Sequence, residues 1–187
     1  MGVSRDHLHA LYAETSDPWN FENSEYEQAK FAATLAALSK PHYISAFELG
    51  CGNGQLARHL VRVCDTYTGM DAVAIAVEAA RRAVPDACFI HGFYPCSLPE
   101  ECFDLLILSE ILYFLGPDSL RKLSSEIAIA WPHAEVLCVT WLGETGHALQ
   151  GREALAIFTT ELTSHVFDRM AQTDDYRIDR GLPRAWS

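Results

Sequence analysis

Apolar and polar positions follow two different rhythms along this chain, and each change of rhythm marks an element. Short, nearly continuous apolar runs cover Ile44 to Leu49, Thr66 to Met70, Ala87 to His91, Phe103 to Leu108 and Glu135 to Leu142. Runs of that length predict strands buried on both faces. Between them, apolar residues recur at helical spacing over Gln55 to Val63, Val73 to Val84, Asp118 to Ala130 and Gly151 to Leu162. Pro85 and Pro132 stop two of these, because proline lacks the amide hydrogen a helix needs. Ahead of the first strand, Leu8 to Ala13 and Ser24 to Leu38 predict a helical lead-in, interrupted by Thr15-Ser16-Asp17-Pro18. In its second stretch Tyr26, Lys30, Phe31, Thr34, Leu35 and Leu38 fall at helical spacing, with Asn23 or Ser24 as cap. After the last helix the period drops to two. Ser164 to Ala171 and Asp175 to Asp179 alternate around the turn-prone Thr173-Asp174, as an antiparallel hairpin would.

Strands alternating with helices predict an α/β, doubly wound, mostly parallel sheet with helices on both faces. No repeat or linker divides the chain. It therefore reads as one domain over 1–187, with a helical lead-in or lid over 1–40 and a Rossmann-like core over 41–187.

Composition narrows the partners. Hydrophobic residues make up 49% and charged residues 21%, which supports a packed core rather than a disordered chain. The formal net charge of −11 and the absence of a basic run argue against nucleic acid and against an anionic membrane. A neutral or cationic small molecule suits that charge better. Cys51, Cys64, Cys88, Cys96, Cys102 and Cys138 form no Cys-x-x-Cys pair, so they read as reduced, mostly buried thiols of a cytoplasmic protein. Residues 1–13 contain no long apolar run, so no signal peptide is expected. His7-x-His9 belongs to a polar helix start, and no metal site is expected.

The chemistry concentrates after the first strand, at Glu48-Leu49-Gly50-Cys51-Gly52-Asn53-Gly54. Glycines there allow a sharp strand-to-helix turn and close approach of the backbone to a ligand. The following helix turns its free amides toward the same point. The second strand ends at Asp71, a carboxylate suited to the two hydroxyls of an adenosine ribose. Taken alone these features admit NAD as well as S-adenosylmethionine, since Gly52-Asn53-Gly54-Gln55-Leu56-Ala57 satisfies Gly-x-Gly-x-x-Gly/Ala. Three observations favour the methyl donor. Glu48 would repel a pyrophosphate, a helical lead-in precedes the first strand, and a hairpin closes the chain.

Glu48-x-Gly50-Cys51-Gly52-x-Gly54, Asp71, and Phe103-Asp104-Leu105-Leu106-Ile107-Leu108-Ser109-Glu110-Ile111-Leu112-Tyr113-Phe114-Leu115 together resemble a class I S-adenosylmethionine-dependent methyltransferase. The fourth-strand segment more narrowly resembles the nodulation protein S (NodS) family of rhizobial N-methyltransferases. So do Ser16-Asp17-Pro18-Trp19-Asn20-Phe21, Tyr26-Glu27-Gln28 and Val139-Thr140-Trp141-Leu142-Gly143-Glu144-Thr145. The resemblance covers nearly the whole chain. It implies a seven-stranded sheet whose last strand is antiparallel, and S-adenosyl-L-methionine as cofactor. It also implies methylation of the amine on a de-N-acetylated glucosamine ending a chitooligosaccharide. By resemblance, Gly50, Cys51, Gly52 and Gly54 meet the methionine part, Asp71 the ribose, and Ala72 and Val73 the adenine. Where many class I enzymes place an acid for the adenine amine, this chain has His91-Gly92-Phe93-Tyr94, so the contact comes from backbone groups, with Gly92 and Phe93 at the site, or is absent. Ser109 and Glu110 would lie beside the methyl, with Trp19 and Tyr26 folded over the cofactor.

Methyl transfer from a sulfonium is an in-line displacement that asks mainly for positioning. An amine must arrive neutral, and a carboxylate or imidazole can take its proton. Glu110 is the first candidate, Tyr113 an orienting partner and His147 a remoter one. Glu110 also reads as a carboxylate at a helix start, Tyr113 as packing, and Trp141 as a core or rim ring. Arg58 and His59 read as surface residues. The favoured acceptor is a small amine, an amino sugar among the options. The alternatives are an O-methyltransferase on a small hydroxylated metabolite and a cofactor-binding protein without catalysis.

Overall fold

A computed structural model describes residues 2–4, 8, 10, 12, 15, 17 and 20–184. Helix α1 (Glu25–Ala36) precedes strand β1 (Tyr43–Leu49), α2 (Ala57–Leu60) and β2 (Cys64–Asp71). Then come α3 (Ala74–Ala83), β3 (Cys88–His91), β4 (Leu105–Ser109) and a 3₁₀ turn (Leu112–Phe114). Helix α4 (Pro117–Ala130), β5 (Glu135–Trp141), α5 (Gly151–Glu161), β6 (His165–Gln172) and β7 (Tyr176–Pro183) complete the order. The seven strands form one sheet, β3-β2-β1-β4-β5-β7-β6. The first five are parallel to their neighbours, and the hairpin adds β7 antiparallel to β5. Among the described residues no helix is long and apolar enough to cross a membrane.

The unbroken apolar runs exist because the sheet is covered on both sides. Leu105 and Ile107 of β4, with Leu137 and Val139 of β5, face the layer that holds Phe31, Leu60, Val77 and Ala80. Their alternates Leu106, Leu108, Val136 and Cys138 face Leu120, Leu123, Ile127, Leu155 and Phe158. Each such side chain contributes about 1.5–3 kcal/mol on burial. Strand order reverses between β1 and β4, so the loops leaving their carboxyl ends turn to opposite faces. A cleft opens between them.

Several expected boundaries move, for local reasons. The helix expected over Gln55 to Val63 shrinks to the four residues of α2. His59 donates to Leu56 and Val63 to Leu60, three residues back, and such tight turns do not extend. The chain has to begin β2 at Cys64, paired with Tyr43. Strand β7 runs on to Pro183 through Gly181, where a Cβ would stand 2.6 Å from the Phe167 ring. Ser24 is the cap of α1, its hydroxyl accepting from the Glu27 amide at 3.3 Å. The stretch expected to be helical over 8–13 falls mostly outside the described residues, as does His7-x-His9.

The carboxyl end of α1 is sewn to the sheet. Glu135, at the start of β5, accepts from the Ser39 amide and hydroxyl and from the Tyr43 hydroxyl, the last at 2.7 Å. Arg180 donates to the Ala37 carbonyl at 3.0 Å. The amino end of the same helix therefore projects over the cleft from a fixed base.

Candidate functional site

A cavity of about 970 Å³ occupies the carboxyl ends of β1, β2 and β4. Glycine supplies its floor, in a backbone conformation that other residues adopt at a cost. Gly52 has φ +51°, and a Cβ there would meet only the Tyr12 hydroxyl at 3.5 Å and Phe21 at 4.0 Å, so it would project into the open cradle. Gly54, with φ +79°, is different. A Cβ there would come within 2.9 Å of the Ala80 Cα, so this glycine serves the packing of the loop on α3 and does not line the cavity. The sequence reading puts Gly54 among the cofactor contacts, whereas the structure sets it against α3 and outside the cavity lining.

Asp71 ties the floor together. Its two carboxylate oxygens accept from the Gly52 and Val73 amides, each at 2.9 Å. Desolvation pushes this carboxyl up, and the backbone amides pull it back down. Gly50, Cys51, Ala72, Val73, Gly92 and Phe93 line the same space. His91, by contrast, points its ring at the Ala72 carbonyl, 3.1 Å away. Burial pushes the Cys51 thiol well up, which leaves it a packing residue.

Glu48 corrects the reasoning rather than the location. Its carboxyl lines the cavity but is 2% exposed, with the Tyr67 hydroxyl donating to it. Burial pushes it up to about 8, despite that hydrogen bond. At neutral pH it is mostly protonated, so the repulsion of a pyrophosphate expected of it has little charge behind it. Of the cysteines, Cys51, Cys64 and Cys138 are buried, Cys96 is intermediate, and Cys88 and Cys102 are exposed.

The opposite wall begins at the end of β4. Ser109 and Glu110 line the cavity, and Glu110 adopts φ +52°, a left-handed conformation costly for a residue with a side chain. Its amide donates to the Val139 carbonyl at 2.8 Å, which holds that backbone in place. The Glu110 carboxylate meets the Lys30 ammonium at 2.9 Å, and Lys30 in turn meets Glu27 at 2.8 Å. Tyr113, on the 3₁₀ turn, faces the same chamber. Burial and the nearby Glu110 and Glu27 carboxylates push its phenol well up, so it stays a neutral hydrogen-bond donor. His147, from the loop after β5, stacks on Tyr113 with ring centroids 6.2 Å apart and packs on Phe114 at 4.6 Å. Trp141 lines the chamber as well, on the rim rather than in the core. Arg58 is exposed as expected, whereas His59 is half-buried, packed on Phe31 and hydrogen-bonded to Gln28.

Trp19 lies outside the described residues. Beside it in sequence, Asp17 accepts from the Phe21 and Glu22 amides at 2.9 and 3.1 Å, and Phe21 lines the cavity against Phe31. Reading the sequence missed Lys30, Glu27, Tyr12 and Asn53 as wall residues. A signal was available for two of them. Glu27, Lys30 and Thr34 recur on the stripe that also carries Phe31, so charges stand where a helix buries its face.

The residues fit S-adenosylmethionine. The cradle at Gly52 is open, Asp71 stands at the second-strand position for a ribose, and Asn53 keeps a buried side-chain oxygen without a partner, an acceptor for an ammonium. Among the described residues no group of three or more His, Cys, Asp or Glu could hold a metal ion.

The model of the family Nodulation protein S (NodS) matches residues 4–129. Nodulation protein S of Bradyrhizobium diazoefficiens is 26% identical over 179 residues, covering 86% of this chain and 83% of that protein. The crystal structure of N-methyltransferase NodS from Bradyrhizobium japonicum WM9 with S-adenosyl-L-homocysteine superimposes with a TM-score of 0.82 at 18% identity, covering 97% and 99% of the two chains. A candidate methyltransferase from Pseudomonas syringae is 30% identical, with a TM-score of 0.72, over 86% of this chain and 100% of that one.

Proposed function

The chain belongs to the Nodulation protein S (NodS) family of S-adenosylmethionine-dependent methyltransferases, and from that premise we propose that it methylates the amine nitrogen of a small acceptor, an amino sugar first among them. One observation carries the choice of nitrogen. The Glu110 carboxylate stands at the end of β4, across the same cavity from the glycine floor, and with Glu27 and Glu144 it sets three carboxyl groups on that wall against the one ammonium of Lys30. A wall of that charge attracts an ammonium and suits the removal of its proton.

When bound, the cofactor supplies an electrophilic methyl group. The chain's own residues do the rest by positioning. Asp71 hydrogen-bonds the ribose hydroxyls, while Gly50, Cys51 and Gly52 let the backbone approach the methionine part and Ala72, Val73, Gly92 and Phe93 flank the adenine. Glu110 orients the acceptor amine and takes its proton, so that the lone pair faces the methyl. The neutral Tyr113 phenol donates a hydrogen bond to the acceptor, and Trp141 and His147 form the outer rim. Tyr26 and Phe21, from the lead-in, keep water from the chamber.

Methyl transfer from radiolabelled cofactor to matched acceptors tests the reading. A de-N-acetylated chitooligosaccharide, its fully acetylated counterpart and a small phenol would be compared. Label on the free amine alone is the expected result. Label on the acetylated sugar or the phenol would point to oxygen. Binding of S-adenosylhomocysteine without transfer to any acceptor would favour a binding protein.

A further inference from the structure

Two costly features converge on one carboxylate. Lys30 is buried beside the cleft, its side chain 2% exposed, with Nζ 2.8 Å from Glu27 and 2.9 Å from Glu110 Oε2. The same ammonium sits 5.3 Å from the centre of the Tyr26 ring. Removing an ammonium from water is expensive, and an apolar residue would serve the buried face of α1 at least as well. Glu110 itself holds a left-handed backbone that only glycine adopts freely. Packing explains neither.

The charges around Glu110 show what a cation does there. Glu27 and Tyr26 face it from α1, and Tyr113 from the 3₁₀ turn. Asp17 acts on Glu27, and Asp175, in the β6–β7 turn, acts on Tyr26. Glu144 and His147 line the same cavity from the loop after β5. Of these carboxylates, Glu27 opposes a charge on Glu110 directly. Lys30 is the one Lys or Arg among the described residues lining the cavity.

We propose that Lys30 is a positioning residue, whose ammonium, anchored by Glu27, keeps the Glu110 carboxylate ionised and engages its Oε2, leaving Oε1 to the acceptor. Its catalytic meaning rests on Glu110 facing the acceptor amine, as set out above. Its electrostatic content does not. No bond-making step is added. The amine proton passes to Glu110, the amine N–H breaking as the carboxyl O–H forms, and Lys30 stays protonated throughout.

The test reads Glu110 directly. The full-length protein, labelled with ¹³C at glutamate carboxyls and saturated with S-adenosylhomocysteine, is titrated by NMR. The Glu110 resonance is identified by its loss in Glu110→Gln. In Lys30→Met its midpoint should rise by about one pH unit or more, because a carboxylate stripped of its cation holds its proton more tightly. Lys30→Arg should restore most of the shift. Should Lys30→Met fail to fold, Lys30→Gln decides, since it keeps a polar end but carries no charge and should raise the midpoint in the same way. An unmoved midpoint in whichever of Lys30→Met and Lys30→Gln folds overturns the proposal. Methyl transfer to glucosamine by Glu110→Gln separates the two ideas. Full activity there would end the role of Glu110 in the reaction, whereas the NMR shift alone judges Lys30.

Discussion

On the glycine side of the cleft, the wall is drawn from consecutive residues 48–53 and from Asp71, whose carboxylate accepts from the Gly52 and Val73 amides. On the opposite side, Lys30, Glu110, Tyr113 and His147 arrive from three separate segments, and what they present is side chains. The first wall is backbone held in shape by glycine and one carboxylate. The second is a charge arrangement that exists only when α1 lies over the end of β4. A wall of the first kind can be specified locally and tolerates change around it. A wall of the second kind depends on contacts 80 residues apart, such as Lys30 to Glu110.

Breaking the second wall should have the larger effect on turnover. Glu110→Gln keeps size and hydrogen bonding but cannot take a proton, so the rate of methyl transfer should fall about 10²-fold or more. Affinity for S-adenosylhomocysteine, measured by calorimetry, should stay within about threefold, since the proposed arrangement turns the charge removed toward the acceptor. Equal losses of rate and affinity would show that the two walls do not divide the work.

The first wall should respond in binding. Asp71→Ala removes a carboxylate that holds two loop amides, and should weaken S-adenosylhomocysteine by about 1–3 kcal/mol. Its two neighbouring glycines sharpen the distinction further. Gly54→Ala forces a side chain into a left-handed backbone against α3, and should cost about 1–3 kcal/mol of stability in denaturant unfolding. Gly52→Ala projects its methyl into the cradle and should weaken cofactor binding more than Gly54→Ala does, at unchanged packing against α3. The reverse pattern would mean that the cradle has been placed at the wrong glycine.

The smallest effect concerns Glu48. Its folded carboxyl titrates at about 8, above its ordinary value of 4.5, because it is buried. The unfolded chain therefore ionises first, and stability falls as pH rises between those two values. Glu48→Gln removes that proton, so its melting temperature should vary less between pH 5 and pH 8 than the parent's. A parent whose stability rises over that interval, with Glu48→Gln following it in parallel, would show that Glu48 is ionised in the folded protein.

Much of the architecture was legible from pattern. The four-residue apolar run of Leu105 to Leu108 announces a strand covered on both faces, and Ser24 is one of the two caps the pattern offers for the lead-in helix. The boundary of α2 was not legible, because its tight flanking turns leave the same apolar spacing as a longer helix. Nor was the state of Glu48. A letter in a sequence carries a formal charge, whereas burial beside Tyr67 decides whether the charge is there.

By itself the sequence determined the rhythm of strands and helices, the glycine turn after the first strand and the carboxylate that ends the second. Those depend on residues close together in the chain and on the conformations that glycine and proline allow. Tertiary structure alone decided that Gly54 packs on α3 while Gly52 opens to the cleft, and that Lys30 of the lead-in reaches Glu110. Such pairings turn on the reversal of strand order between β1 and β4, which brings distant segments to one edge of the sheet, where desolvation rather than residue type sets the strength of each charge.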